Sequence, residues 1–481
     1  MTNTAIRVRF APSPTGYLHI GGLRTALYDY LFARSQGGTM ILRIEDTDQN
    51  RLVPDAAEKL IASLKTIGIS IDEGPGLGGE YGPYTQSERL EHYHRYADQL
   101  LRQGDAYHCF CSSETLTQMR EEQTQHGEFA KYDRRCLSLS EEEIRKRLAR
   151  GDKHVLRLKM PDKRTFAFED EIRGHVEMES SQSDDQVLIK SDGFPTYHLA
   201  AVVDDHLMKI SHVIRGEEWL SSTPKHIWLY ECLGWDIPAW VHLPLILNPD
   251  RSKLSKRMND VSVESYLEKG YLKETIINFI ALLGWHSDDD REIYSLEELC
   301  REFSLKRVSK SGAIFDLTKL DWMNGQYIRS LPLETIMEYA KPYFHEAGYT
   351  LETTEQTLRM IAVARDRVTL LPEFVDYCRM FLDQSKPTQE DIASLDADKS
   401  LAVTDYFLRQ LDTAYPETDD EINILVKQAI STLGIKGKDF YSPLRLALVG
   451  KLHGPDIPSI FFILGKAEVI NRLHAFREIC G

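Results

Sequence analysis

Residues 6–44 read IRVRFAPSPTGYLHIGGLRTALYDYLFARSQGGTMILRI, and the punctuation of this stretch decides the fold. Ile6–Phe10 alternates as a strand does. Ala11–Gly16 holds two prolines and a glycine, so it is a loop. Leu23, Leu27, Tyr30 and Leu31 then fall at helical spacing, and Gly37-Gly38 ends the helix. Met40–Ile44 is a second strand with little alternation, as in a sheet covered on both faces. Strand, loop, helix and strand form a βαβ unit, which implies an α/β fold with a parallel sheet.

Ligands of such sheets gather at the carboxyl ends of the strands. His19-Ile20-Gly21-Gly22 lies there, at the helix entrance. Free N–H groups and the positive end of the helix dipole suit a phosphate, and glycines let it approach closely. Alone, the four residues also fit a plain tight turn. A second signature, Lys253-Leu254-Ser255-Lys256-Arg257, follows Asn248-Pro249-Asp250-Arg251 and puts three cations in five residues of a loop with little reason to be rigid. Alone, it fits a solvated basic loop. Gly74, Gly76 and Gly79 match G-x-G-x-x-G, but they follow Asp72-Glu73 and precede Tyr81-Gly82-Pro83. Neither the strand nor the helix of a dinucleotide fingerprint flanks them, so that reading is rejected.

Working outward, a helix is expected over about 55–67, a loop over 74–83 and a helix over 86–103. Residues 109–183 are charged and irregular and read as an insertion. Strand-like segments resume at 187–189 and 213–214. From about Pro332 the chain reads as mostly helical, for example over 336–344 and 442–452. A length of 481 residues implies two or more domains. The net charge of −16 weighs mildly against a nucleic-acid partner, although it does not report a local basic face. No apolar run is long enough to span a bilayer and no signal peptide opens the chain, so a cytoplasmic protein with no membrane partner is expected. Seven mostly scattered cysteines argue against a disulfide framework.

Taken together, the two signatures resemble the HIGH and KMSKS motifs of class I aminoacyl-tRNA synthetases. The resemblance narrows to the bacterial glutamyl-tRNA synthetases. It rests on Arg9–Gly16 (RFAPSPTG), Arg43–Asp48 (RIEDTD), Gly82–Ser87 (GPYTQS), Tyr197–Ala200 (YHLA), Val203–His206 (VDDH), Ile214–Trp219 (IRGEEW) and Leu320–Gly325 (LDWMNG). It covers roughly residues 5–330. It implies a Rossmann-type catalytic domain over 1–108 and 187–240, with an acceptor-stem-binding domain inserted over 109–186. A stem-contact region over 241–330 and an all-helical anticodon-binding part over 331–481 would follow.

The implied activity is ligation of glutamate to tRNA(Glu) with ATP and magnesium, by a monomer. Three alternatives stay open: an enzyme that also charges tRNA(Gln), a glutamine-specific relative, and an inactive RNA-binding relative. A truncated paralogue is a poorer match, because it lacks the C-terminal helical part. The resemblance places glutamate among Arg9, Ala11, Ser13, Glu45, Tyr197, Arg215 and Trp219. It places ATP against His19, Gly21, Gly22, Glu218, Lys253, Ser255 and Lys256, with His19, Lys253 and Lys256 catalytic. The chemistry agrees: Arg9 and Arg215 can each fork onto a carboxylate, Glu45 can pair with the ammonium, and Tyr197 offers a hydroxyl. Two departures matter. Gly22 stands where the superfamily has histidine. Ala201 stands where many members have asparagine, which removes one contact to glutamate. Cys109, Cys111 and Cys136, with Tyr132 as fourth ligand, are either a structural zinc site or three free thiols and a tyrosine.

Overall fold

The computed structural model describes residues 5–127, 130–254, 262–383 and 387–480. The chain divides into two compact units. One comprises residues up to 267 together with 273–316, and the other comprises 268–272 together with 317 to the end.

The opening stretch folds as its punctuation requires. Strand β1 (Arg7–Phe10) runs parallel to β2 (Thr39–Leu42), with Arg7 opposite Thr39 and Phe10 opposite Leu42. The helix between them spans Ile20–Ser35, and Gly37 follows in the left-handed region. Gly38 is a close approach: a Cβ there would lie 2.6 Å from the Ile6 carbonyl oxygen. The alternation of β1 does not sort its side chains into core and solvent, because Val8, Arg9 and Phe10 are all buried. A buried arginine is stable only with partners, and these come from distant parts of the chain.

Further strands are β3 (Ala106–Cys109), β4 (Val155–Leu158), β5 (Thr165–Asp170), β6 (Gly174–Glu179), β7 (Val187–Ile189), β8 (His212–Gly216) and β9 (Ala239–Leu243). β8 and β9 pair in parallel, β5 joins β9 in parallel and β6 pairs antiparallel with β5. Ser211, just before β8, exchanges hydrogen bonds with Arg7 and ties this sheet to β1.

The expectation of an irregular insertion over 109–183 is corrected. That segment holds the helices Ser113–Gln125 and Glu141–Ala149 and the strands β4, β5 and β6. The expected domain borders at 108/109 and 186/187 also cross an antiparallel sheet ordered β3-β4-β7. Ser140 with Glu143 caps the second of these helices at both orphan N–H groups, a local signal hidden within a run of charges.

The second unit is helical. The expected helix over 442–452 instead spans Lys438–Val449, because Gly450 turns left-handed there and closes it. Buried Arg472, on the last helix, is its linchpin. Nη1 donates to the Met380 and Leu448 carbonyls, both at 2.7 Å, and Nη2 to those of Phe381 and Asp383 at 2.9 and 2.8 Å. One guanidinium thereby satisfies the orphan C-terminal carbonyls of two helices, Glu373–Leu382 and Lys438–Val449, and complements their dipoles. Arg472→Met should cost about 2–3 kcal/mol of stability in urea unfolding, since it strands buried carbonyls.

Candidate active site

A cavity of about 980 Å³ opens beyond the carboxyl ends of β1, β2 and β8. This is where a parallel α/β sheet presents its loops and a helix N-terminus to a ligand. Every described residue that the sequence assigned to glutamate or ATP lines it: Arg9, Ala11, Ser13, Glu45, Tyr197, Arg215 and Trp219, with His19, Gly21, Gly22, Glu218 and Lys253. Ser255 and Lys256 lie outside the described residues. Ala201 is buried within the helix Tyr197–Leu207 and does not line the cavity.

At one end stands the helix entrance. His19 is the N-cap, and its Nδ1 accepts from the Gly21 N–H at 3.0 Å. Because Nδ1 accepts, the ring proton sits on Nε2, which is then a donor. The turn before Lys253 is better ordered than its composition suggests. Asn248 N donates to the Ser252 carbonyl at 2.8 Å, and Asp250 accepts from the Ser252 N–H at 2.8 Å. Leu254 N bonds to the Ile246 carbonyl and Val263 N to the Leu18 carbonyl, so both flanks of 255–261 are anchored beside the helix entrance. Lys253 is exposed and lines the cavity.

At the other end are buried charges. Asp205 accepts from Arg9 Nε at 2.9 Å and from Arg43 Nη1 at 2.7 Å. Arg43 Nη2 donates to Glu45 Oε1 at 3.0 Å. Thus Arg9 and Glu45, both assigned to glutamate from the sequence, each hold a different structural partner while lining the cavity. Burial pushes the Glu45 carboxyl upward, and Arg43 opposes the shift. Glu45 Oε2 takes no hydrogen bond from the described residues.

Arg215 differs. It is buried, yet all its acceptors are neutral: His242 Nε2 at 3.0 Å, His226 Nδ1 at 3.1 Å, Thr223 Oγ1 at 2.9 Å, and the Tyr197 hydroxyl and Trp219 carbonyl at 3.3 Å. No carboxylate pairs with it among the described residues. A buried cation without a counter-ion costs several kcal/mol unless a ligand supplies the anion. Tyr197 and Trp219 rings lie 4.3 Å apart and flank it.

The sequence reading missed Asp205 and Arg43, although both lie within quoted motifs, and it missed His226, His242 and Asp170 altogether. Burial, with Arg215 adjacent, holds His226 well below the usual histidine range. Burial also lowers His242, against the pull of Asp170.

Elsewhere, the Cys109, Cys111 and Cys136 sulfurs all lie within 4.8 Å of one another. The Tyr132 hydroxyl is 3.3 Å from Cys109 Sγ and 3.6 Å from Cys111 Sγ. Four donor atoms therefore converge: Cys109 at the end of β3, Cys111 just after it, Tyr132 in the segment before the single turn Arg135–Ser138, and Cys136 in that turn.

Residues 5–322 match the catalytic domain of the class I tRNA synthetases (E and Q), and residues 335–477 match an anticodon-binding domain. The chain belongs to this class I tRNA synthetase family. A glutamate–tRNA ligase of Alkaliphilus metalliredigens is 46% identical over 98% of this chain and 99% of its own length. One from Clostridioides difficile is 44% identical over 97% and 98%. The crystal structure of a glutamate tRNA ligase from Elizabethkingia meningosepticum, in complex with its amino acid, superposes with a TM-score of 0.92 at 39% identity, covering 99% of this chain and all of that one. The expected parallel-sheet catalytic domain with a helical anticodon-binding domain is thereby established. No helix among the described residues is long and apolar enough to cross a membrane.

Proposed function

We propose that the protein activates L-glutamate with ATP and transfers it to the 3′ end of tRNA(Glu). The observation that carries this reading is Arg215, a buried cation without a counter-ion among the described residues, in one cavity with Glu45 and the His19 helix entrance. Glutamate supplies what these groups lack. One carboxylate meets Arg215 and the Tyr197 hydroxyl, and the ammonium meets Glu45 Oε2. Arg9, Ala11, Ser13 and Trp219 complete the enclosure.

The substrate carboxylate attacks the α-phosphate of ATP and pyrophosphate leaves. Catalysis is positioning and charge neutralisation at the transferring phosphoryl group. His19 Nε2–H and the Gly22 N–H face the phosphates, Gly21 lets them approach the backbone closely, Glu218 contacts the nucleotide, and Lys253 neutralises the triphosphate. Roles for Ser255 and Lys256 rest on the sequence motif. Magnesium arrives with ATP as part of the substrate. The glutamyl-adenylate then gives its acyl group to the terminal ribose hydroxyl of tRNA.

Aminoacylation with purified tRNA(Glu) and tRNA(Gln) tests the reading, with Lys256→Ala as the inactive control. Failure to charge either tRNA with glutamate would overturn it. Glutamate-dependent exchange of pyrophosphate into ATP is expected to require tRNA, and robust exchange without tRNA would contradict that expectation.

The four converging donors fit a zinc ion, which would staple β3 to the turn at Arg135–Ser138. Metal analysis without chelators should find one zinc per chain, and Cys136→Ser should lower that stoichiometry to near zero. Absence of zinc from the wild type would leave the cluster as free thiols.

A further inference from the structure

Behind the cavity, five side chains form a single hydrogen-bonded line: Asp170, His242, Arg215, His226 and His198. Its polarity follows from Arg215, which can only donate. His242 Nε2 accepts from Arg215 Nε at 3.0 Å, so its proton sits on Nδ1, which donates to Asp170 Oδ2 at 2.6 Å. His226 Nδ1 accepts from Arg215 Nη1 at 3.1 Å, so its proton sits on Nε2, which donates to His198 Nδ1 at 3.0 Å. A protonated imidazole has no lone pair to offer. Both rings are therefore neutral by geometry, and both are buried, His242 completely.

The contrast with the neighbouring arginines is informative. Arg9 and Arg43 are oriented by carboxylates that cancel their charge. Arg215 is oriented as firmly, by acceptors that cancel nothing. The nearest carboxylate in the line, Asp170, is held one imidazole away.

We propose that His226 and His242 are positioning residues that fix Arg215 through uncharged acceptors, leaving its full charge for a carboxylate of the amino-acid substrate. Asp170 sets the tautomer of His242, and His198 Nδ1 accepts the hydrogen bond from His226 Nε2–H. This rests on the reading that Arg215 receives glutamate.

The test separates charge from shape. His226→Asn places an uncharged acceptor near the position of Nδ1, and His226→Asp places a charged one of the same size there. The glutamate KM of the Asn variant should stay within about threefold of wild type. That of the Asp variant should rise about tenfold or more, with the KM for ATP unchanged. The pair His242→Gln and His242→Glu repeats the comparison at the other acceptor, and reads the same quantity if a buried carboxylate at 226 prevents folding. A merely structural role would move both members of a pair alike, and equal glutamate KM values within each pair would overturn the proposal. If the wild type does not charge tRNA with glutamate, the proposed function falls as well. If it does and the pairs coincide, only the positioning role falls.

Discussion

Replacing Arg215 with leucine is expected to lower kcat/KM for glutamate about a thousandfold, while the KM for ATP stays within about threefold of wild type. The size follows from where the charge stands. Arg215 is buried, and its acceptors are two histidines, a threonine, a tyrosine and a carbonyl. A substrate carboxylate entering the leucine variant would be desolvated with no cation to meet it. Losing one partner of a buried, hydrogen-bonded charge pair costs about 3–5 kcal/mol, and each 1.4 kcal/mol is about tenfold. Lysine should restore no more than about tenfold. It keeps a charge but cannot reach His242, His226 and Thr223 at once, whereas the guanidinium fork does. Steady-state aminoacylation with glutamate and ATP varied separately checks both expectations. A lysine variant close to wild type would mean that orientation by the histidines is unimportant.

The parts of the site legible in the sequence were those carried by short, contiguous segments. Arg9, Glu45, Tyr197 and Arg215 stand within ordered motifs, and all four line the cavity. Less legible was what each residue pairs with, because partners are set by long-range packing. Arg9 was assigned to a substrate carboxylate and Glu45 to the substrate ammonium, yet Asp205, 196 residues further along the chain, binds Arg9, and Arg43 binds Glu45. Asp170 was hidden for a different reason. It lies on β5, in a segment whose charge hides the alternation visible in its burial, and only the parallel pairing with β9 carries it to His242. The C-terminal helices were visible by period but not at their ends, where a single left-handed glycine, Gly450, decides the boundary.

Asp205→Asn is expected to destabilise the first unit by about 3–5 kcal/mol in urea unfolding, the largest stability effect of any single substitution proposed. Asp205 is buried and binds Arg9 through both carboxylate oxygens, at 2.9 and 3.3 Å, and Arg43 at 2.7 Å. Asparagine fits the space but leaves two buried guanidiniums facing an amide: Arg9 loses its carboxylate partner, and Arg43 keeps Glu45 at 3.0 Å and Asp204 at 3.8 Å. The pH dependence distinguishes this from a packing loss. Burial alone would raise the Asp205 pKa, but Arg9 and Arg43 overcome that and hold it below the usual carboxylate value. A folded-state pKa that is depressed stabilises the fold above the unfolded value, about 3.9, and the contribution is lost as pH falls through the folded value. The gap in stability between wild type and Asp205→Asn should therefore be constant from neutral pH to about pH 5 and narrow below about pH 4. His226 titrates differently. Its folded pKa lies well below that of an unfolded histidine, so it withdraws stability as pH falls below about 6.5, equally in both proteins. Urea unfolding of the two proteins at a series of pH values separates the effects, and a gap that persisted unchanged at pH 3 would show that Asp205 acts by shape and not by charge.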